Sequence, residues 1–130
     1  MSKQEVIICR SLQEDLERAL DAHAYDKLFI LTDEHTRRLC LPLVGSSEPI
    51  RQAVPICIGA GDIHKNLDTL AHVWTALSNQ GATRHSLLIN LGGGMVTDLG
   101  GFAAATFKRG FAYINIPTTL LSMVDAAVGG

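Results

Sequence analysis

The sequence is poor in aromatic residues, in clustered charge and in long apolar runs, and each shortage excludes a class of function. Aromatic residues make up only 5% of the 130 residues, too few for the stacking platforms that bind single-stranded nucleic acid. Lysine and arginine total 11 against 13 acidic residues and form no run. Neither nucleic acid nor an anionic membrane is therefore expected as a partner. No segment reaches the roughly 18 apolar residues of a transmembrane helix.

Cysteine and histidine are also sparse and scattered. Cys9, Cys40 and Cys57 are odd in number and far apart, which is typical of free thiols in a reducing compartment. Residues 1–5 lack the apolar core of a signal peptide, so we expect a cytoplasmic protein. The five histidines form no metal-binding motif, and we expect no metal site within this chain.

Short apolar segments alternate with segments of helical spacing. Strands are predicted at 6–9, 27–33, 54–58, 87–91 and 112–116. Helices are predicted at 12–20, at 36–43 with a break at Pro42, at 67–77 and at 95–108. This order predicts one α/β domain over residues 1–130, a Rossmann-like parallel sheet with helices on both faces. Such sheets bind ligands beyond the carboxyl ends of their strands. Four predicted strands end on polar or glycine-rich residues: Asp33, Gly59–Gly61, Gly92–Gly94 and Pro117–Thr119.

The glycines Gly92, Gly93 and Gly94 lie between a predicted strand and a predicted helix. A diphosphate can contact bare backbone N–H groups there, at the positive end of the helix dipole. The pattern matches only two places of the G-x-G-x-x-G fingerprint, because Thr97 occupies the third. The alternative is a tight turn that requires positive φ. We expect Asp98 in the first helical turn, where it either stabilises the helix or binds a ligand hydroxyl.

Other polar residues admit both a ligand-binding and a structural interpretation. Asp33 can bind ribose hydroxyls or cap the next helix. Asp62 and Lys65 can hold a sugar hydroxyl and a phosphate or form a solvated pair. Arg109 can bind phosphate or complement the end of a helix.

Two further segments are candidates for ligand contacts. Thr118 and Thr119 offer hydroxyls and N–H groups at a strand end. Asp125 lies among apolar residues, where an acid favours a functional role.

Two segments resemble the 3-dehydroquinate synthase family. They are LGGGMVTDLGGFAAATFKRG at residues 91–110 and IPTTLLSMVDAAVGG at residues 116–130. The resemblance is close over 91–130 and looser over 33–77, where GDIHK at 61–65 has aspartate in place of the family's glutamate. Ala126 replaces a frequent serine, and Met95 replaces valine.

The resemblance implies the amino-terminal domain of a homodimeric enzyme that uses NAD and zinc. The family converts the sugar phosphate 3-deoxy-arabino-heptulosonate 7-phosphate to 3-dehydroquinate and phosphate. The resemblance also implies that Asp125 contacts substrate hydroxyls and that Arg109 contacts the substrate phosphate in the neighbouring subunit. It implies NAD contacts from a larger set: Asp33, Asp62, Lys65, Gly93, Gly94, Met95, Asp98, Thr118 and Thr119.

In the family, the zinc ligands and catalytic bases belong to a helical carboxy-terminal domain that these 130 residues lack. We therefore expect the chain to be a fragment, inactive alone. The alternatives are another sugar-phosphate cyclase, of the inosose or valiolone type, and a stand-alone NAD- or phosphate-binding module. A polyol dehydrogenase of the glycerol dehydrogenase group is disfavoured by Leu120–Asp125, where that group continues with glycine, threonine and serine.

Overall fold

Strands and helices alternate along the chain. The computed structural model describes residues 4–6, 12–44, 48–59, 67–107 and 110–117. The strands are β1 (Gln4–Val6), β2 (Leu28–Asp33), β3 (Val54–Ile58), β4 (Leu87–Gly92) and β5 (Ala112–Pro117). The helices are α1 (Leu12–Asp21), α2 (Glu34–Leu39), α3 (Leu41–Val44), α4 (Glu48–Gln52), α5 (Leu67–Asn79) and α6 (Gly94–Thr106). Among the described helices, none combines the length and apolarity that crossing a bilayer requires.

All five strands form one parallel sheet in the order β1-β5-β4-β2-β3. The central strand β4 is buried along its whole length, as a parallel sheet covered on both faces requires. The predicted parallel sheet is therefore confirmed. Its carboxyl ends lie at one edge, where Asp33 pairs with Ile58 and Gly92 pairs with Pro117.

Helices cover both faces of the sheet. Alternate side chains of each strand point to opposite faces, so both faces carry apolar groups that the helices bury. Leu28 and Ile30 pack in the cluster of α1 and α4. Their neighbours Phe29 and Leu31 pack in the cluster of α5 and α6. Crossovers toward the β3 edge run over the first face and those toward the β1 edge over the second, so all have the same hand, as the right-handed rule for parallel strands requires.

Three elements differ from the sequence prediction. The first strand is described at Gln4–Val6, whereas 6–9 was predicted, and residues 7–9 lie outside the described residues. The helix predicted at 36–43 was expected to break at Pro42; it is two helices, α2 and α3, but they divide at Cys40, and Pro42 lies in the first turn of α3, where its missing N–H is tolerated. The five-residue helix α4 was not predicted, because it is too short to show a helical period.

At the amino edge of the sheet, Asp26 joins the start of β2 to the loop before β4. Its carboxylate accepts hydrogen bonds from the hydroxyls of Thr83 and Ser86, the latter at 2.8 Å. The hydrogen bond from Thr83 is the largest cause of a pKa below the usual 3.8, with further lowering from Ser86 and from nearby His85. The charged form of Asp26 therefore contributes to folding.

We predict that Asp26→Asn lowers the free energy of unfolding at pH 7 by about 0.5–1 kcal/mol, since the site is exposed and screened. The folded pKa is depressed, so the stabilisation is complete above the ordinary value of 3.8 and is lost as the pH falls through the lower folded value. Urea denaturation at pH 7 and at pH 3 measures this. A difference of equal size at both pH values contradicts the prediction. Ser86→Ala, alone and combined with Asp26→Asn, serves as the control for coupling.

Candidate functional site

The sheet has a topological switch point between β2 and β4. The chain leaving β2 enters α2–α4, which pack through Leu41 and Ile50 on the face of α1. The chain leaving β4 enters α6, which packs through Val96 and Leu99 on the opposite face. Two adjacent strands whose connections diverge in this way leave a crevice at their carboxyl ends, the usual ligand site of such sheets.

Asp33 and the glycine turn meet at this crevice. The register pairs Leu31 with Asn90, and continuing it by two residues sets Asp33 level with Gly92. Neighbouring strands lie about 4.8 Å apart. The topology therefore brings together two features that are 59 residues apart in the sequence (92 − 33).

The start of α6 is a bare stretch of backbone. Gly93 is the N-cap residue, with φ −79° and ψ −167°, and no side chain caps the helix. The first N–H groups of an α-helix have no partner inside the helix and point outward along its axis. A Cβ built on Gly94 would meet no atom within 4 Å, so the space beside it is open. Uncapped N–H groups beside open space are the type of backbone that binds anions in other proteins.

Thr97 does not add a free hydroxyl to this turn. Its Oγ1 lies 3.2 Å from the carbonyl oxygens of both Gly93 and Gly94, and its N–H donates to the Gly93 carbonyl at 3.0 Å. The side chain at the third place of the glycine fingerprint thus bonds back to the helix backbone. The ligand-facing groups of the turn are backbone N–H groups.

The positive-φ interpretation of the glycines is wrong. Among the described glycines, only Gly81 and Gly110 have positive φ. Gly92 is required instead by close packing, because a Cβ there would collide with the side chain of fully buried Val96. The turn therefore needs glycine at position 92 for space.

Asp33 caps α2, as the structural interpretation predicted. Its Oδ1 accepts a hydrogen bond from Thr36 N–H at 2.8 Å, and its own N–H donates to Thr36 Oγ1 at 2.9 Å, a reciprocal capping box. Among the described residues, its second carboxylate oxygen has no hydrogen-bond partner. Burial, and then the charge of Asp33, raises the pKa of the Cys40 thiol at the end of α2. Capping and ligand binding are compatible at Asp33.

Asp98 is not in the first turn of α6, contrary to prediction. The helix begins at Gly94, its first turn holds no acidic residue, and Asp98 is an exposed residue of the second turn. The dipole effect decays within one turn, so it does not explain this aspartate. Met95, by contrast, is half-buried and packs against the cluster of α5 and α6.

Sequence analysis missed a cavity of about 250 Å³ between the end of β3 and the start of α5. It lies at the same edge of the sheet as Asp33, which pairs with Ile58. The residues that line the cavity lie on two elements, and no sequence motif connects them. They are Cys57, Ile58, Gly59, Asp68, Thr69 and His72.

Six candidate site residues lie outside the described residues: Asp62, Lys65, Arg109, Thr118, Thr119 and Asp125. Within the described ranges, no three His, Cys, Asp or Glu side chains are grouped as metal ligands.

The chain matches the 3-dehydroquinate synthase N-terminal family over residues 55–130. It is 56% identical over its full length to a 3-dehydroquinate synthase from Parabacteroides distasonis, of which it covers 37%. It is 43% identical over 122 residues to the enzyme of the same description from Thermococcus kodakarensis, covering 92% of the chain and 34% of that relative. The chain thus spans about a third of the length of these relatives.

Two solved structures share the fold. One is a 2-epi-5-epi-valiolone synthase from Streptomyces hygroscopicus with NAD+ and Zn2+ bound, at TM-score 0.72 and 29% identity, covering 95% of this chain and 35% of that one. The other is a 2-deoxy-scyllo-inosose synthase, at TM-score 0.69 and 20% identity, covering 90% of this chain and 32% of that one. At 20% identity the second comparison supports the fold alone.

The two ends of the glycine turn give a matched pair of variants. We predict that Gly94→Ala raises the free energy of unfolding by about 0.5–1 kcal/mol, because alanine replaces an exposed helical glycine beside open space. Gly92→Ala lowers it by about 1–3 kcal/mol, because its Cβ overlaps Val96. Thermal and urea denaturation measure both. If Gly94→Ala destabilised the protein as much as Gly92→Ala, the space beside Gly94 would have to be occupied.

Proposed function

Since the chain belongs to the 3-dehydroquinate synthase family, we propose that it is the NAD-binding amino-terminal domain of a 3-dehydroquinate synthase. The proposed reaction converts 3-deoxy-arabino-heptulosonate 7-phosphate to 3-dehydroquinate and phosphate, the second step of the shikimate pathway. One observation carries the cofactor proposal: the uncapped start of α6 lies beside Asp33 at the switch point. A cytoplasmic location agrees with the free thiols of Cys40 and Cys57.

The described residues fit a dinucleotide. The N–H groups at the start of α6, from Gly94 and Met95, donate to the diphosphate, and the second oxygen of Asp33 accepts from ribose hydroxyls. Gly93 lets the diphosphate approach the backbone. When bound, NAD supplies the transient oxidation of a substrate hydroxyl. The valiolone synthase neighbour, whose structure holds NAD+, supports this assignment.

The remaining contacts are part of the proposal. We assign Asp62, Lys65, Asp98, Thr118 and Thr119 to NAD. Asp125 is assigned to the substrate hydroxyls. The zinc ligands and the catalytic bases are assigned to a part of the protein outside these 130 residues, and the neighbour with Zn2+ supports the metal. We therefore expect the 130 residues to be inactive alone.

Arg109 is assigned to the substrate phosphate across a subunit boundary. Phe107 and Gly110, the described residues on either side of it, lie at the amino edge of the sheet, before β5 begins at Ala112. The six residues of β5 span about 20 Å, far more than an arginine side chain reaches. A substrate bound at the carboxyl edge is far from these described residues, and we therefore propose that Arg109 serves the substrate of a second copy. This supports a homodimer with shared active sites.

The function is tested by phosphate release from the full-length protein that carries this chain. We expect release from the heptulosonate phosphate only when NAD and zinc are both present. The substrates of inosose and valiolone synthases serve as controls and should release none. Turnover of one of those substrates instead would assign another sugar-phosphate cyclase. NAD binding without turnover of any of them would support a binding module.

Asp33→Asn separates ligand binding from helix capping. Asparagine caps helices as well as aspartate, so we expect the free energy of unfolding to change by less than about 0.5 kcal/mol. NAD affinity should fall about 10- to 100-fold, since a charged acceptor of ribose hydroxyls is lost. Calorimetric titration of the full-length protein measures this affinity. Titration with NADP is the control, because the wild-type carboxylate of Asp33 repels the 2′-phosphate of NADP and asparagine does not. Unchanged NAD affinity would leave Asp33 as a cap alone.

A further inference from the structure

The described residues hold one buried polar side-chain atom without a hydrogen-bond partner, and it lies directly beneath α6. This atom is Oδ1 of Asn90, a fully buried residue of β4. The same amide donates through Nδ2 to Oδ1 of Asn115 at 3.0 Å. Asn115 lies on β5 at the paired register position and is 8% exposed. Two amides facing each other in an apolar layer need a specific reason, because burying polar groups is unfavourable.

The unpartnered oxygen of Asn90 faces the backbone of α6 at Gly100. A Cβ built on Gly100 would overlap the Asn90 amide, so the helix backbone and the amide are in direct contact. The oxygen meets the Cα hydrogens of Gly100, a weak but favourable Cα–H···O contact. The neighbouring Gly101 is packed less tightly, since a Cβ built there would lie 3.2 Å from the ring of Tyr113. The height of α6 above the sheet is therefore set by what lies under these two glycines.

Asn90 thus touches three elements at once, just below the carboxyl edge. It belongs to β4, it is hydrogen-bonded to β5, and it supports α6. It precedes Gly92 by two residues, as Asn115 precedes Pro117. Gly100 lies six residues after the start of α6, about 9 Å along a rigid helix. A change in the height of α6 at Gly100 therefore moves the N–H groups at its start relative to Asp33.

We infer that Asn90, together with Gly100, is a positioning residue for the cofactor site. It sets the height at which the uncapped start of α6 faces the crevice, and it ties the end of β4 to the end of β5. It touches neither cofactor nor substrate. The inference rests on the proposed NAD-binding function and adds to it a residue buried beneath the helix.

The test uses variants of the full-length protein that add a methyl group at Gly100, remove the side-chain amide at Asn90, or do both. Gly100→Ala pushes the new methyl into the amide and lifts α6, so we expect the KM and Kd for NAD to rise about tenfold. Asn90→Ala removes the amide and should raise both about threefold. In the double variant the methyl fills the space the amide left, and both constants should return to within about twofold of the wild type. Ala105→Ser, on the exposed side of α6, is the control and should change neither.

A purely structural role gives a different result. It lowers the melting temperature and the active fraction, and hence kcat, while KM for NAD stays constant. The positioning role raises KM and leaves kcat at saturating NAD within about twofold. The inference is overturned if folded Gly100→Ala or Asn90→Ala binds NAD with wild-type affinity. It is also overturned if the double variant binds NAD no more tightly than Gly100→Ala does. Should Gly100→Ala not fold, Asn90→Ala and the double variant decide. Wild-type protein that does not bind NAD overturns the proposed function itself.

Discussion

The parallel pairing of β2 with β4 places the candidate site. Because both strands end at the same edge, residues at their carboxyl ends become neighbours whatever their distance in the sequence. Because every crossover has the same hand and the strand order reverses direction, the chain leaves β2 over one face and leaves β4 over the other. The crevice between them follows from these two facts alone. Asp33 and the glycine turn become neighbours only through this arrangement.

The turn after β4 uses glycine for two different physical reasons. At Gly92 the reason is packing, since the side chain of Val96 fills the space that a Cβ would need. At Gly94 the space is open and alanine would suit the helix better, so glycine there is unexplained by stability. A residue that is worse for folding and better for the close approach of a ligand is expected at a binding site. Deeper in the helix, Gly100 leaves room for the buried amide of Asn90, a polar group that a well-packed apolar core would exclude.

Much of the fold could be predicted from the sequence, and the failures have identifiable causes. Residues 87–91 were recognised as a strand because a continuous apolar run bounded by glycines is typical of a buried parallel strand. Helix α4 has too few residues for a period to be seen. Asp98 was placed one turn too early, since the first turn is already filled by Gly94–Thr97. Pairing of Asn90 with Asn115 depends on strand register, which no local pattern shows. A weak signal existed: each amide lies two residues before the end of its strand.

In the proposed function, bare backbone at the start of α6 binds the diphosphate of NAD. A crystal structure of the full-length protein with NAD bound tests it most directly. We expect diphosphate oxygens within hydrogen-bonding distance of the N–H groups of Gly94 and Met95, and a ribose hydroxyl hydrogen-bonded to Asp33. A diphosphate bound elsewhere, or a start of α6 covered by protein side chains in that complex, would contradict the proposed cofactor site.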